Sequence, residues 1–64
     1  MYRPEIEARI EKLRKVNGAG TYSLDGFNQN DVKDTMNYLH LRYPNIYDSS
    51  DIYYTGLADV SILR

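Results

Sequence analysis

The stretch Asp51-Ile52-Tyr53-Tyr54-Thr55-Gly56-Leu57-Ala58-Asp59-Val60-Ser61-Ile62-Leu63-Arg64 decides the fold class of this chain. Read as β structure, residues 51–55 and 60–64 are two short strands joined through Gly56-Leu57-Ala58-Asp59. The β-branched and aromatic side chains that fill both runs suit a pleated, half-buried surface. Read as a helix, Asp48 is the cap, Tyr47 and Ile52 are the staple, and Tyr53, Leu57 and Val60 recur at spacings of four and three. Against the helix, two adjacent tyrosines, Thr55, Gly56, Val60 and Ile62 all lower helix propensity. The hairpin reading is favoured and makes the chain α+β; a three-helix bundle is the alternative.

Upstream of this stretch the signals are firmer. Asn28 is a good N-cap, with Asp31 three residues later for a capping-box-like exchange and Phe27/Val32 as a hydrophobic staple. Val32, Met36, Leu39 and Tyr43 then follow at spacings of four, three and four, one apolar stripe of a helix. Pro44 ends that helix by pushing Tyr43 out of helical geometry. Residues 17–27 carry three glycines. Thr21 to Leu24 reads either as a short strand before an Asp25-Gly26 turn or as a loop whose Tyr22, Leu24 and Phe27 plug the core.

The first helix is the clearest element. Pro4 suits its first position, and Asn17-Gly18 supplies the exit. Glu5 and Glu7 favour the positive end of the dipole, Arg14 and Lys15 the negative end. Ile6, Ile10 and Leu13 form its apolar stripe, with Tyr2 and Val16 flanking. Glu5–Arg9 and Glu11–Lys15 are i,i+4 pairs in the favourable order.

Length and composition bound the rest. With 64 residues there is room for one domain, residues 1–64. Such a chain buries only about 60% of the surface its unfolded form exposes. The absence of cysteine removes disulfides, thiol catalysis and thiolate metal sites. A soluble, cytoplasmic protein is expected, since the first residues carry acids where an export signal is apolar and no apolar run reaches a membrane span. Met1 opens the chain, which reads equally as a whole small protein or as part of a longer one. Net charge is −1, divided into +2 over residues 1–16 and −3 over residues 17–64. The acids of the first part are all Glu and those of the second all Asp, as expected for a helix followed by caps and turns.

Catalytic and cofactor chemistry finds little footing. A single histidine, His40, excludes sites built on several imidazoles. Its expected role is that of a half-buried helix residue donating through one ring nitrogen, and a pH sensor is the alternative. Asp48 to Asp59 has the length of an EF-hand loop, but Ile52 and Tyr53 stand where a ligand and the turn glycine are needed. Gly18-Ala19-Gly20 lacks the third glycine of a dinucleotide loop and follows a helix rather than a strand. No catalytic residue, cofactor or metal is expected, and the chain is read as a non-enzyme.

Function is expected at a surface. At about 100° per residue, Tyr38 and Leu41 project from the far side of the second helix, away from the Val32/Met36/Leu39/Tyr43 stripe. Either the C-terminal segment covers them or they face a partner. Tyr43, Tyr47, Tyr53 and Tyr54 lie close in sequence beside Asp48 and Asp51, and tyrosine is enriched at binding surfaces. These eight residues are the candidate partner-binding set. The expected partner is another protein, a basic one suiting the acids; a second copy of the chain is also admissible. Nucleic-acid binding through the basic residues of the first helix is the alternative, weakened by the interleaved glutamates and the net acidity.

Overall fold

The structure, a computed structural model, describes residues 1–48 and 59–64. In chain order these form helix α1 (Pro4–Asn17), strand β1 (Gly20–Ser23), helix α2 (Gln29–Arg42) and strand β2 (Asp59–Ile62). Two helices and a two-stranded antiparallel sheet make the chain α+β.

Local chemistry sets the element ends. Pro4 occupies the first turn of α1, and the Gly18 amide closes the far end on the Arg14 carbonyl at 2.9 Å, with Gly18 at φ 79°. That positive φ is one a side chain resists, which is why glycine stands there. The Asn28 side chain accepts from the amides of Asn30 and Asp31, capping α2 as expected. The reciprocal half of the capping box does not form. Asp31 instead turns its carboxylate to the Met1 amino group at 2.9 Å and the Arg3 Nε at 3.2 Å. Its side chain is one methylene shorter than the Glu or Gln that usually reaches back, and two cations outbid a neutral amide. Neither Glu5–Arg9 nor Glu11–Lys15 closes to ion-pair distance; Glu5 sits 3.8 Å from Arg3.

The sheet joins distant parts of the chain. Gly20 pairs with Ile62, Thr21 with Ser61, Tyr22 with Val60 and Ser23 with Asp59. Because side chains alternate, this register turns Val60 and Ile62 inward, where both are buried. On its other edge β2 meets the segment after α2: the Asp48 amide donates to the Ser61 carbonyl and the Leu63 amide to the Ile46 carbonyl. The strand of the expected hairpin at residues 60–64 thus exists at 59–62, where the alternative third helix is excluded. Its observed partners are β1 and the Tyr47 bridge. The other expected hairpin strand, residues 51–55, lies outside the described residues.

The core lies between the helices and the inner face of the sheet. Ile6 and Ile10 of α1 meet Val32, Met36 and Leu39 of α2, with Leu24, Tyr47, Val60 and Ile62 closing the cluster. Each fully buried aliphatic side chain contributes about 1.5–3 kcal/mol. Leu24 supplies the plug and residues 20–23 the strand, so both readings of the glycine-rich segment hold in part. Val16 departs from expectation and is exposed. At 100° per residue it stands about 80° off the Ile6 direction, beyond the reach of α2. Tyr43 also leaves the stripe. It is the residue after α2, its φ of −134° and ψ of 68° swing it off the helical path, and 44% of it is exposed.

Among the described residues, Thr35 is a polar residue that is fully buried. The Thr35 hydroxyl donates to the Asp31 carbonyl at 2.7 Å and accepts from the Arg3 amide at 3.0 Å. It fastens the segment Met1–Arg3 across α2.

Candidate functional site

The site grows from the last turn and a half of α2. Tyr38, Leu41 and Arg42 stand at i, i+3 and i+4, hence on adjoining parts of one helix face. The Val32/Met36/Leu39 stripe is spent on the core; Tyr38 packs against the edge of that core, while Leu41 and Arg42 are exposed. Leu41 is 81% exposed. Tyr38 is half-buried. The Tyr2 ring lies on it with centroids 4.5 Å apart. Half of the far-side pair is therefore sheathed by the N-terminal segment, and the other half faces solvent.

Arg42 organises the aromatics around this point. It donates from NH1 to the Tyr38 hydroxyl at 3.0 Å, and its guanidinium carbon lies 5.8 Å from the ring centroids of both Tyr38 and Tyr43. Such spacing is within the range at which a cation is attracted by an aromatic face. No carboxylate of the described residues lies within ion-pair distance of Arg42. The nearby acids of α2, Asp31 and Asp34, are engaged by Met1 and Arg3.

The remaining candidates separate. Tyr47 is 4% exposed and belongs to the core, its ring edge-on to Tyr43 at 6.3 Å. Burial pushes its phenol above the ordinary tyrosine value. The expectation of an outward-facing Tyr47 gives way to packing: the bridge to Ile62 turns the side chain beneath the sheet. Asp48 is exposed and partnered. Asp51, Tyr53 and Tyr54 lie outside the described residues. Of the eight, the structure brings together Tyr38, Leu41 and Tyr43. Arg42 joins them, a residue the sequence reading did not single out; its i+4 spacing from Tyr38 was the available signal.

His40 takes the role expected of it, half-buried with Nδ1 2.9 Å from the Tyr47 carbonyl. A carbonyl only accepts, so Nδ1 carries the proton. The bond ties α2 to the Tyr47 segment.

Two shallow depressions flank α1. One, of about 190 Å³, is lined by Arg9, Lys12, Leu13, Val16 and Asn17. The other, of about 420 Å³, is lined by Glu11, Arg14, Lys15, Tyr43 and Tyr47. Arg14 is committed there, donating from Nε to the Arg64 carbonyl at 2.6 Å. Among the described residues no group of three or more His, Cys, Asp or Glu side chains is placed to hold a metal ion. Nor, among them, is any helix long and apolar enough to cross a membrane.

Set against models of protein families, curated proteins and solved structures, the chain matches none of them.

Proposed function

We propose that this chain is a small, non-catalytic, cytoplasmic protein-interaction module that binds a partner protein through the C-terminal end of α2. Adaptor, inhibitor and regulatory subunit are all forms this activity takes. The observation that carries the reading is the 81% exposure of Leu41 beside Tyr38, Arg42 and Tyr43. A single exposed leucine is ordinary; one flanked by aromatics and an arginine that has no carboxylate partner among the described residues has the composition of an interface centre. Tyrosine and arginine are the residues most often found where binding energy concentrates. Leu41 takes no part in the core, which Val32, Met36 and Leu39 fill with Tyr38 packed against its edge.

Photo-crosslinking from position 41, with position 8 on the exposed face of α1 as control, tests the proposal in a lysate of the native host. A discrete protein adduct from position 41 and none from position 8 is expected. Equal labelling from both positions, or none from position 41, would remove the proposed surface.

A second reading, nucleic-acid binding, is favoured by one feature: Arg14, Lys15 and Tyr43 meet in the larger depression. Basic groups beside an aromatic ring suit a phosphate backbone and a stacked base. Glu11 in the same depression and the single −1 net charge weigh against it. Titration with random-sequence DNA and RNA at low salt decides this reading, and absence of binding there eliminates it.

A further inference from the structure

We infer that the occupant of the α2 site is an acidic, apolar peptide segment, its carboxylate docking on Arg42 while a neighbouring apolar side chain covers Leu41. The inference rests on the interaction reading above and names the chemistry of the partner.

Arginine has five N–H donors in a planar fork, and here the group is hydrogen-bonded to the Tyr38 hydroxyl. The rings of Tyr38 and Tyr43 lie at equal distance from it, 5.8 Å each. With a donor bonded and two rings close by, the fork loses less freedom when an acceptor arrives, and its remaining donors match the two oxygens of a carboxylate. The chain supplies no such acceptor among the described residues. Asp31 and Asp34, the acids of the same helix face, are neutralised by the Met1 amine and Arg3. A chain of net charge −1 thus presents a locally cationic spot.

Leu41 selects among anionic ligands. A nucleic acid is held by several cations tracking its phosphates, and one arginine beside an exposed leucine does not provide that. A peptide carrying Asp or Glu next to Leu, Ile or Phe satisfies both halves of the site at once: charge on Arg42, apolar area on Leu41. A second copy of this chain would bring another Arg42 and another Leu41 to a symmetric contact, leaving the charge unanswered.

The test uses a random-peptide library displayed on phage and selected against the immobilised full chain. Enriched sequences are synthesised and titrated by fluorescence anisotropy against the wild type, Arg42→Gln and Leu41→Asp. Enrichment of an acid adjacent to an apolar residue is expected. Arg42→Gln should weaken binding about ten- to hundredfold, as loss of a charge-assisted hydrogen bond does. Changing the peptide acid to its amide should produce a similar loss, which keeps the test valid even if Arg42→Gln disturbs the fold. Selected peptides that lack an acid yet lose affinity with Leu41→Asp would overturn the acidic class while leaving the interaction surface standing. Failure to enrich any sequence, or binding indifferent to Leu41→Asp, would overturn both. Binding of a random-sequence RNA oligonucleotide that Arg42→Gln abolishes, or self-association that Leu41→Asp abolishes, would also overturn the inference.

Discussion

The ring of Tyr2 lies on the ring of Tyr38, with centroids 4.5 Å apart and planes inclined at 46°. The contact lays the N-terminal segment against α2 beside Tyr38, while Leu41, one turn further on, stays exposed. Tilted aromatic pairs contribute about 0.5–1.5 kcal/mol beyond the area they bury. A double-mutant cycle with Tyr2→Ala and Tyr38→Ala, read by urea denaturation, should give a coupling energy in that range. Additive single effects would show that the two rings are neighbours without being partners.

Thr35 makes the same segment depend on one hydroxyl. Thr35→Val keeps the shape but leaves the Arg3 amide without its acceptor. The loss should be about 1–3 kcal/mol, the usual cost of a buried unpaired polar group. Thr35→Ser, which retains the hydroxyl, should recover most of it in the same denaturation experiment.

Tyr2 reports the segment spectroscopically. Its hydroxyl donates to the Glu7 carboxylate at 2.5 Å, and this bond, then burial, pushes the phenol up to about 12. A proton held more tightly in the folded state stabilises the fold below the unfolded tyrosine value of about 10 and is lost as pH rises through the folded one. A phenolate absorbance titration should therefore show a high-pH component that Tyr2→Phe removes and Glu7→Ala shifts downward.

Asp31 sets the acid limb. The hydrogen bond from the Met1 amine, with that from Arg3, holds its carboxyl below the ordinary carboxylate value. The folded state favours the ionised form, so this stabilisation is present above the unfolded value of about 3.9 and disappears as pH falls through the folded one. The same contacts, Asp34 first, raise the Met1 amine, whose contribution is lost instead as pH climbs above about 8. Melting temperatures of wild type and Asp31→Asn should differ at neutral pH and converge in acid. A constant gap across the pH range would deny the ion pair any role in stability.

The helices were legible because their signals are local. Pro4, Gly18, Asn28 and Pro44 mark the ends, and Ile6, Ile10, Val32, Met36 and Leu39 mark the buried faces at helical spacing. Strand β2 was half legible: Val60 and Ile62 alternate as a strand should, but nothing nearby reveals that residue 60 pairs with residue 22. That pairing is chosen by the shared core. Thr35 was missed because a buried threonine looks like any polar helix residue until the Arg3 amide arrives from another part of the chain. In the candidate site, helical geometry placed Tyr38 and Leu41 on the far side of the stripe; Leu41 is exposed, whereas Tyr38 packs at the edge of the core under Tyr2, which the spacing gave no hint of. Tyr47 carried the opposite error. Its place in a tyrosine-rich run suggested surface, whereas the bridge to Ile62 draws it into the core.

Leu41, 81% exposed at the end of α2, belongs to surface that the fold does not need. Leu41→Asp, with unfolding and binding of the selected peptides followed on the same preparation, addresses that directly. The expected result is an unchanged melting temperature together with loss of peptide binding. A variant that unfolds, or one that binds as the wild type does, would contradict it.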